Sequence, residues 1–306
     1  MPNLHDIERR INSVNSTKQI TRTMEMVAAA KIRRSNERVL AATPYSDSMA
    51  EMLANVAERA GGSENALLHE HEEVKNILAI AVVSDRGLAG GFNSNVLRSV
   101  EKSIKAHSAE GAQVHVIACG KKAISYFNFR GIEVDMVFKD MSADPTVEEA
   151  TAIAKRAIDG YIARDYDQVV LTYNHAKNAA EQVLRNETIL PIDAKSVARQ
   201  PDIPQGEGIV AEEEDTTAIE GEVIFEPSAE AVLDNLLPAY VKTMIYHALV
   251  DSAAGEQGAR RNAMKSATDN ANDMVETLNR YYNRVRQGAI TTELTEIVSG
   301  AAALEE

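Results

Sequence analysis

Apolar residues recur along this chain with two different periods. Between Arg260 and Ala303, Met264, Ala267, Ala271, Met274, Leu278, Tyr281 and Val285 follow one another at alternating steps of three and four. That is the heptad repeat of a helix that wraps around a partner helix. No proline interrupts the stretch, and it outruns the roughly 8–20 residues of an ordinary globular helix. At the other end, Leu4, Ile7, Ile11 and Val14 keep the same steps. The two ends are therefore expected to pair as one long coiled coil that carries the middle of the chain.

The first helix is expected to reach about Ala57, with its stripe resuming in a shifted phase at Ile20, Met24 and Val27. Such a shift would locally alter the supercoil. Pro44 is expected to bend or interrupt the helix, and Gly61-Gly62 to end it. The C-terminal helix is expected from Ser228, a candidate N-cap, to Val298. At 1.5 Å per residue, its 70 or so residues span roughly 105 Å. Pro238 lies inside its first stripe of Leu233, Leu237, Tyr240 and Met244, and predicts a kink or a division.

The middle of the chain reads differently. Ile77 to Val83 is a short aliphatic run that predicts a strand buried on both faces. Further strands are expected at Gln113–Ala118, Ile132–Phe138 and Gln168–Tyr173, with an edge strand over Val183–Pro191. Helices are expected from the glycine loop to about Ala106, over Lys121–Arg130 and over Thr146–Ala163. This alternation predicts a parallel sheet with helices on its faces. The domains are expected at 1–60, 76–226 and 227–306. Ser63 to Lys75 reads as a polar linker, and Glu222 to Phe225 as a last short strand. The stretch 201–222 reads as an acidic surface loop. Pro201 to Phe225 holds eight acidic residues and no Lys or Arg.

Charge and chemistry narrow the function. The formal net charge of -14 argues against nucleic acid, whose phosphates need a basic footprint. No run of 18 apolar residues predicts a membrane span, and charged residues from Asp6 to Arg10 occupy the place of a signal segment. Cys119 is alone, which excludes an internal disulfide. The loop Arg86-Gly87-Leu88-Ala89-Gly90-Gly91-Phe92-Asn93 has neither a P-loop ending nor the spacing of a dinucleotide binder, and reads as a tight strand-to-helix turn. No catalytic constellation, metal site or cofactor site is expected. Against the acidic whole, the first helix carries a basic face of Arg22, Lys31, Arg33, Arg34 and Arg38, which suits an acidic partner.

Four stretches resemble one family. They are ITRTMEMVAAAK at Ile20–Lys31, SDRGLAGGFN at Ser84–Asn93, MKSATDNA at Met264–Ala271 and ITTELTEIVSGAA at Ile290–Ala302. In this order and at these distances they are similar to the gamma chain of bacterial F-type ATP synthase, essentially from end to end. The resemblance implies an α/β protein in which a long antiparallel coiled coil of the N- and C-terminal helices joins a Rossmann-like α/β domain. It implies a central rotor shaft that binds no cofactor and is no enzyme on its own. That shaft turns inside a 3:3 ring of alpha and beta chains, coupling ion (hydrogen ion) transport through the c-ring to ATP synthesis and the reverse. The sheet domain is expected beside the epsilon chain and the c-ring. The resemblance carries rotor–stator contacts onto Met24, Arg260, Gln287, Thr291 and Glu293. Arg33 and Arg34 are expected to face acidic loops of the ring, and the apolar tip Ile297–Leu304 to turn in an apolar sleeve. The expected location is the cytoplasmic face of the bacterial cell membrane, peripheral, with membrane contact only through the c-ring. Two rival readings remain at this stage: a nucleotide-binding enzyme resting on Gly87, Gly90 and Gly91, and a static scaffold built on the same coil.

Overall fold

A computed structural model describes residues 4–59, 65–193, 226 and 228–304. The elements are α1 (Leu4–Arg59), a 3-10 turn (Ala66–Leu68), β1 (Asn76–Val82), α2 (Phe92–Ala109), β2 (Gln113–Cys119), α3 (Lys121–Arg130), β3 (Met136–Phe138), α4 (Val147–Ile162), β4 (Gln168–His175), β5 (Val183–Leu190) and α5 (Ala229–Leu304). The acidic loop 201–222, the strand expected at Glu222–Phe225 and the Gly61-Gly62 stop lie outside the described residues. By packing, the chain forms two units. One comprises Ala29–Arg260; the other comprises Met1–Ala28 with Arg261–Glu306.

The larger unit is built on a five-stranded sheet in the order β3-β2-β1-β4-β5. The first four in that order are mutually parallel, and β5 runs antiparallel to β4 at the edge. The short aliphatic strand β1 sits centrally because both its faces need cover. Ala79, Ala81 and Val83 face α2 and α3, packing with Val96, Leu97, Val100, Ala123 and Phe127. Leu78, Ile80 and Val82 join the opposite core, which holds Ile153, Ala157 and Tyr161 of α4, Leu237, Val241 and Ile245 of α5, and Leu53 of α1. Strand β2 contributes to both layers, and β4 adds Val169, Leu171 and Tyr173 to the second.

The helix ends follow local chemistry. Thr146 and Glu149 form a capping box at the start of α4. Gly131 closes α3 in the left-handed region at φ 68, where a Cβ would be strained. The hydroxyl of Ser228 accepts from the amide of Ala231 at 3.2 Å and opens α5. The interruption expected at Pro44 and the division expected at Pro238 do not occur, since α1 and α5 each run through. An internal proline costs about 3 kcal/mol or more. Around Pro238 the buried Leu233, Leu236, Leu237 and Val241 offset that cost by tying both sides of the helix to the core.

The smaller unit holds one segment of each long helix. In α1 the less exposed positions are Leu4, Ile7, Ile11, Val14, Lys18, Thr21, Glu25 and Ala28, an unbroken heptad. The phase shift expected after Val14 is absent: Ile20 is 60% exposed and Val27 50%. In α5 the corresponding positions are Met264, Thr268, Ala271, Val275, Leu278, Tyr282 and Val285. Of the expected seam, Met264 and Ala271 are buried, and Ala267, Leu278, Tyr281 and Val285 are half-buried. Met274 is 47% exposed, and Val275 takes its place. The misreadings share one cause. The buried stripe carries Thr21, Lys18, Glu25 and Thr268, so following hydrophobicity alone led off it.

Thr21 and Thr268 meet across the seam at 2.7 Å between hydroxyl oxygens. Their own helices supply further acceptors, Lys18 O at 3.1 Å and Met264 O at 2.9 Å, so the buried hydroxyls are satisfied. The stripe yields a paired test. Ala271→Glu places a carboxylate in the buried seam and should destabilise the chain by several kcal/mol. Met274→Glu, three residues away on the exposed side, should change stability by about 0.5 kcal/mol or less. Urea titrations of both variants, followed by circular dichroism, measure the difference; equal destabilisation would place the seam on the wrong face.

Candidate partner-contact surfaces

In the smaller unit, Gln287, Thr291 and Glu293 are exposed on α5, and Met24 is half-buried on α1. The Thr291 hydroxyl donates to Gln287 O at 2.9 Å, a bond within its own helix turn. Beyond Val285 the cover thins: Ala289 and Thr292 are half-buried, and positions 293 to 301 are all exposed. Ile290, Leu294, Ile297 and Val298 are 48%, 57%, 68% and 67% exposed. The side chains of the last tip residues, 302–304, lie outside those described.

In the larger unit, Arg33 and Arg34 are exposed on α1. Arg33 pairs only with Glu37 of the next turn, at 3.2 Å with its side chain 88% exposed, a contact worth ~0.3–0.5 kcal/mol. Both guanidinium groups are thus available to an outside partner. Arg38, from the same basic face, is engaged internally with Asp144 at 2.6 Å.

Arg260 departs from its expected place on an exposed polar face. Its side chain is only 11% exposed, and its Nη2 lies 2.6 Å from Glu256 Oε1. The same nitrogen donates to Gly87 O at 3.3 Å. Burial pushes the Glu256 carboxyl above its ordinary value, which the Arg260 guanidinium only partly offsets.

The glycine loop is a turn fastened from within, as its spacing suggested. Asn93 Oδ1 accepts from the amide of Ser84 at 2.9 Å, and the Ser84 hydroxyl donates to Arg86 O. Asp85 gathers the neighbouring connections. Its carboxylate accepts from the amides of Lys121 (2.9 Å), Asp140 (3.0 Å) and Ser142 (3.0 Å). Partial burial would raise the Asp85 pKa, but those donated N–H groups outweigh it and hold the carboxyl below its ordinary value. A second buried carboxylate anchors α5: Asp251 accepts from His175 Nδ1 at 2.7 Å and from the amide of Ala176 at 3.0 Å. Sequence reading missed this pair and Glu256. The signal available was one of place: acidic residues within an otherwise Ala- and Gly-rich buried helix, at 251–259.

Among the described residues, no group of three or more His, Cys, Asp or Glu could hold a metal ion. Cys119 is fully enclosed, and burial pushes its thiol far up. No described helix is long and apolar enough to cross a membrane.

Apolar side chains exposed near the end of α5 and exposed arginines on α1 are the features that suit contact with partners. The family described as ATP synthase matches residues 3–304. The chain is 39% identical to the ATP synthase gamma chain of Chlorobaculum tepidum over 310 residues, covering all of both chains. It is 40% identical to that of Trichlorobacter lovleyi over 305 residues and 41% to that of Pelotomaculum thermopropionicum over 305, again with full coverage of both. Among solved structures it is similar in fold to a chain of the Euglena gracilis mitochondrial ATP synthase rotor, with a TM-score of 0.60 and 17% identity, covering 94% of this chain and 98% of the other. This chain belongs to the ATP synthase gamma chain family. Its role is that of the central stalk of an F-type ATP synthase, and it is a non-catalytic subunit.

The Asp85 cluster predicts a pH response. Because the folded-state pKa lies below the unfolded one, the cluster's contribution is present above the ordinary carboxylate range. It is lost as pH falls through the folded value. Asp85→Asn should therefore flatten the acid limb of stability against pH, measured by urea midpoints between pH 3 and 7. An unchanged acid limb would show that the cluster contributes nothing to it.

Proposed function

We propose that the terminal helices pair as an antiparallel coiled coil and turn inside a ring of three alpha and three beta chains. In this reading the sheet domain lies outside the ring, beside the epsilon chain and the c-ring. The stalk then carries rotation of the c-ring to the catalytic sites and couples ion transport to ATP synthesis. The complex sits at the cytoplasmic face of the bacterial cell membrane, which the chain reaches only through the c-ring.

The observation that carries this is the uncovered end of α5. An antiparallel pair pinned at Thr21 and Thr268 brings Leu4 level with Val285. Leu4 is the first described residue of α1, and past Val285 only Ala289 and Thr292 keep partial cover among the described residues, which accords with the exposed Ile290, Leu294, Ile297 and Val298. A monomer rarely leaves such a row of aliphatic side chains in water, so a surrounding apolar sleeve suits it. Met24, Gln287, Thr291 and Glu293 are the proposed rotor–stator contacts. Amide, hydroxyl and carboxylate groups there form replaceable hydrogen bonds, which suits a surface that must slide.

Arg33 and Arg34 are proposed to face acidic loops of the ring. Co-purification should give one copy of this chain with three alpha and three beta; a chain recovered without them would overturn the assignment. Replacing both arginines by Glu sets like charges against those loops. ATP-driven ion pumping per ATP hydrolysed should fall several-fold in membranes carrying that double variant. Full pumping in the variant would remove the two arginines from the contact.

A further inference from the structure

Arg260 lies where α5 reaches the end of the larger unit. There the helix is held to the sheet domain at successive turns. Asp251 is bound to His175 and to the amide of Ala176. Gly255 and Gly258 follow, the first with little room for a side chain and the second with none. A Cβ at Gly258 would come within 2.9 Å of Ala179 O and of Gln182 Nε2, and one at Gly255 within 3.2 Å of Asn174 O. Ala259 packs with Ala89 and Phe92. Arg260 completes the series, bridging Glu256 and Gly87 O.

The residue after that carbonyl is conspicuous. Leu88 has φ 63, in the left-handed region that a bulky side chain rarely adopts. Its side chain is 62% exposed, so its own packing does little to hold it there. Such a conformation persists only where the surroundings over-determine it. The Arg260 guanidinium holds the preceding peptide by its oxygen, and Ala89 on the other side is buried against α5.

We propose that Arg260 is a positioning residue. With Glu256 it forms a latch that fastens the Gly87–Gly91 turn to α5, so that a load on the sheet domain passes into the helix without slip. It acts through Glu256 and Gly87 within this chain, and not through a bond to the surrounding ring. The proposal rests on the central-stalk role only for its coupling readout. Its structural readout is independent of that role.

The test is a double-mutant cycle of Arg260→Gln, Glu256→Gln and both together. Removing one member of a buried pair strands the other, whereas removing both leaves two neutral amides. In the purified chain, hydrogen exchange of the amides from Arg86 to Gly91 should speed up at least tenfold in each single variant. The double variant should go no further than the worse single one. In membranes carrying the assembled complex, ions pumped per ATP hydrolysed should fall several-fold in both single variants and recover at least partly in the double one. Arg260→Lys keeps the charge but loses the fork that reaches both acceptors, and should show intermediate exchange. If Arg260→Gln uncouples pumping while exchange at 86–91 and the Glu256→Gln variant stay as in the parent, Arg260 contacts the ring and the latch is wrong. Multiplying effects in the double variant would likewise overturn it.

Discussion

Burial at a strict seven-residue repeat is the constraint on which the long helices depend. Helix geometry permits a partner to stay on one face only if the covered positions return every 3.5 residues. In α1 that repeat holds across Leu4 to Ala28 in the smaller unit, and Ile32, Ser35 and Val39 keep the same steps in the larger one. What occupies the repeat is secondary to the repeat itself. Thr21, Lys18 and Glu25 sit on it, while Ile20 and Val27 do not. A polar pair such as Thr21 and Thr268 adds little to stability, about 1 kcal/mol as a net hydrogen bond. It has more effect on register, because a slip by one turn would part the two hydroxyls.

The sheet domain obeys a different rule. Its central strand needs cover on both faces, and it takes α2 and α3 on one side and α4, α5 and α1 on the other. The connections are then fixed from within by carboxylates: Asp85 gathers three amides, Asp167 takes the amides of Lys75 and Asn76, and Asp251 holds β4's end to α5. These groups are the type that, in other α/β proteins, face a ligand. Here they face their own backbone, which fits a domain that serves as a fitting rather than as a catalytic site.

These two rules meet the demands on a central stalk. Such a part has to be stiff where it carries load and replaceable in its contacts where it slides. Small residues let α5 approach β4 and its following loop closely, and Gly258 shows how little clearance remains. Past Val285, Gln287, Thr291 and Glu293 are exposed, and the Thr291 hydroxyl bonds only within its own helix among the described residues. Along α5, the buried pairs at Asp251 and at Glu256–Arg260 give way to exposed polar side chains at Gln287, Thr291 and Glu293.

The sequence by itself determined the class of the fold, the order and type of the strands and inner helices, and the family. Periodicity of 3.5 and of 2, the aliphatic run at Ile77–Val83 and the four family stretches are local signals, and local signals survive without coordinates. It also sufficed for the glycine loop as a tight turn between β1 and α2. What it left open turned on packing. Pro44 and Pro238 do not divide their helices because flanking residues are tied to a core that no local rule describes. Thr268 and Val275 are covered beside Ala267 while Met274 is exposed, because burial follows geometric phase, and hydrophobicity is only its usual companion. Arg260 turned inward for the same reason. A charged residue reads as exposed until tertiary structure supplies the carboxylate and the carbonyl that make its burial tolerable.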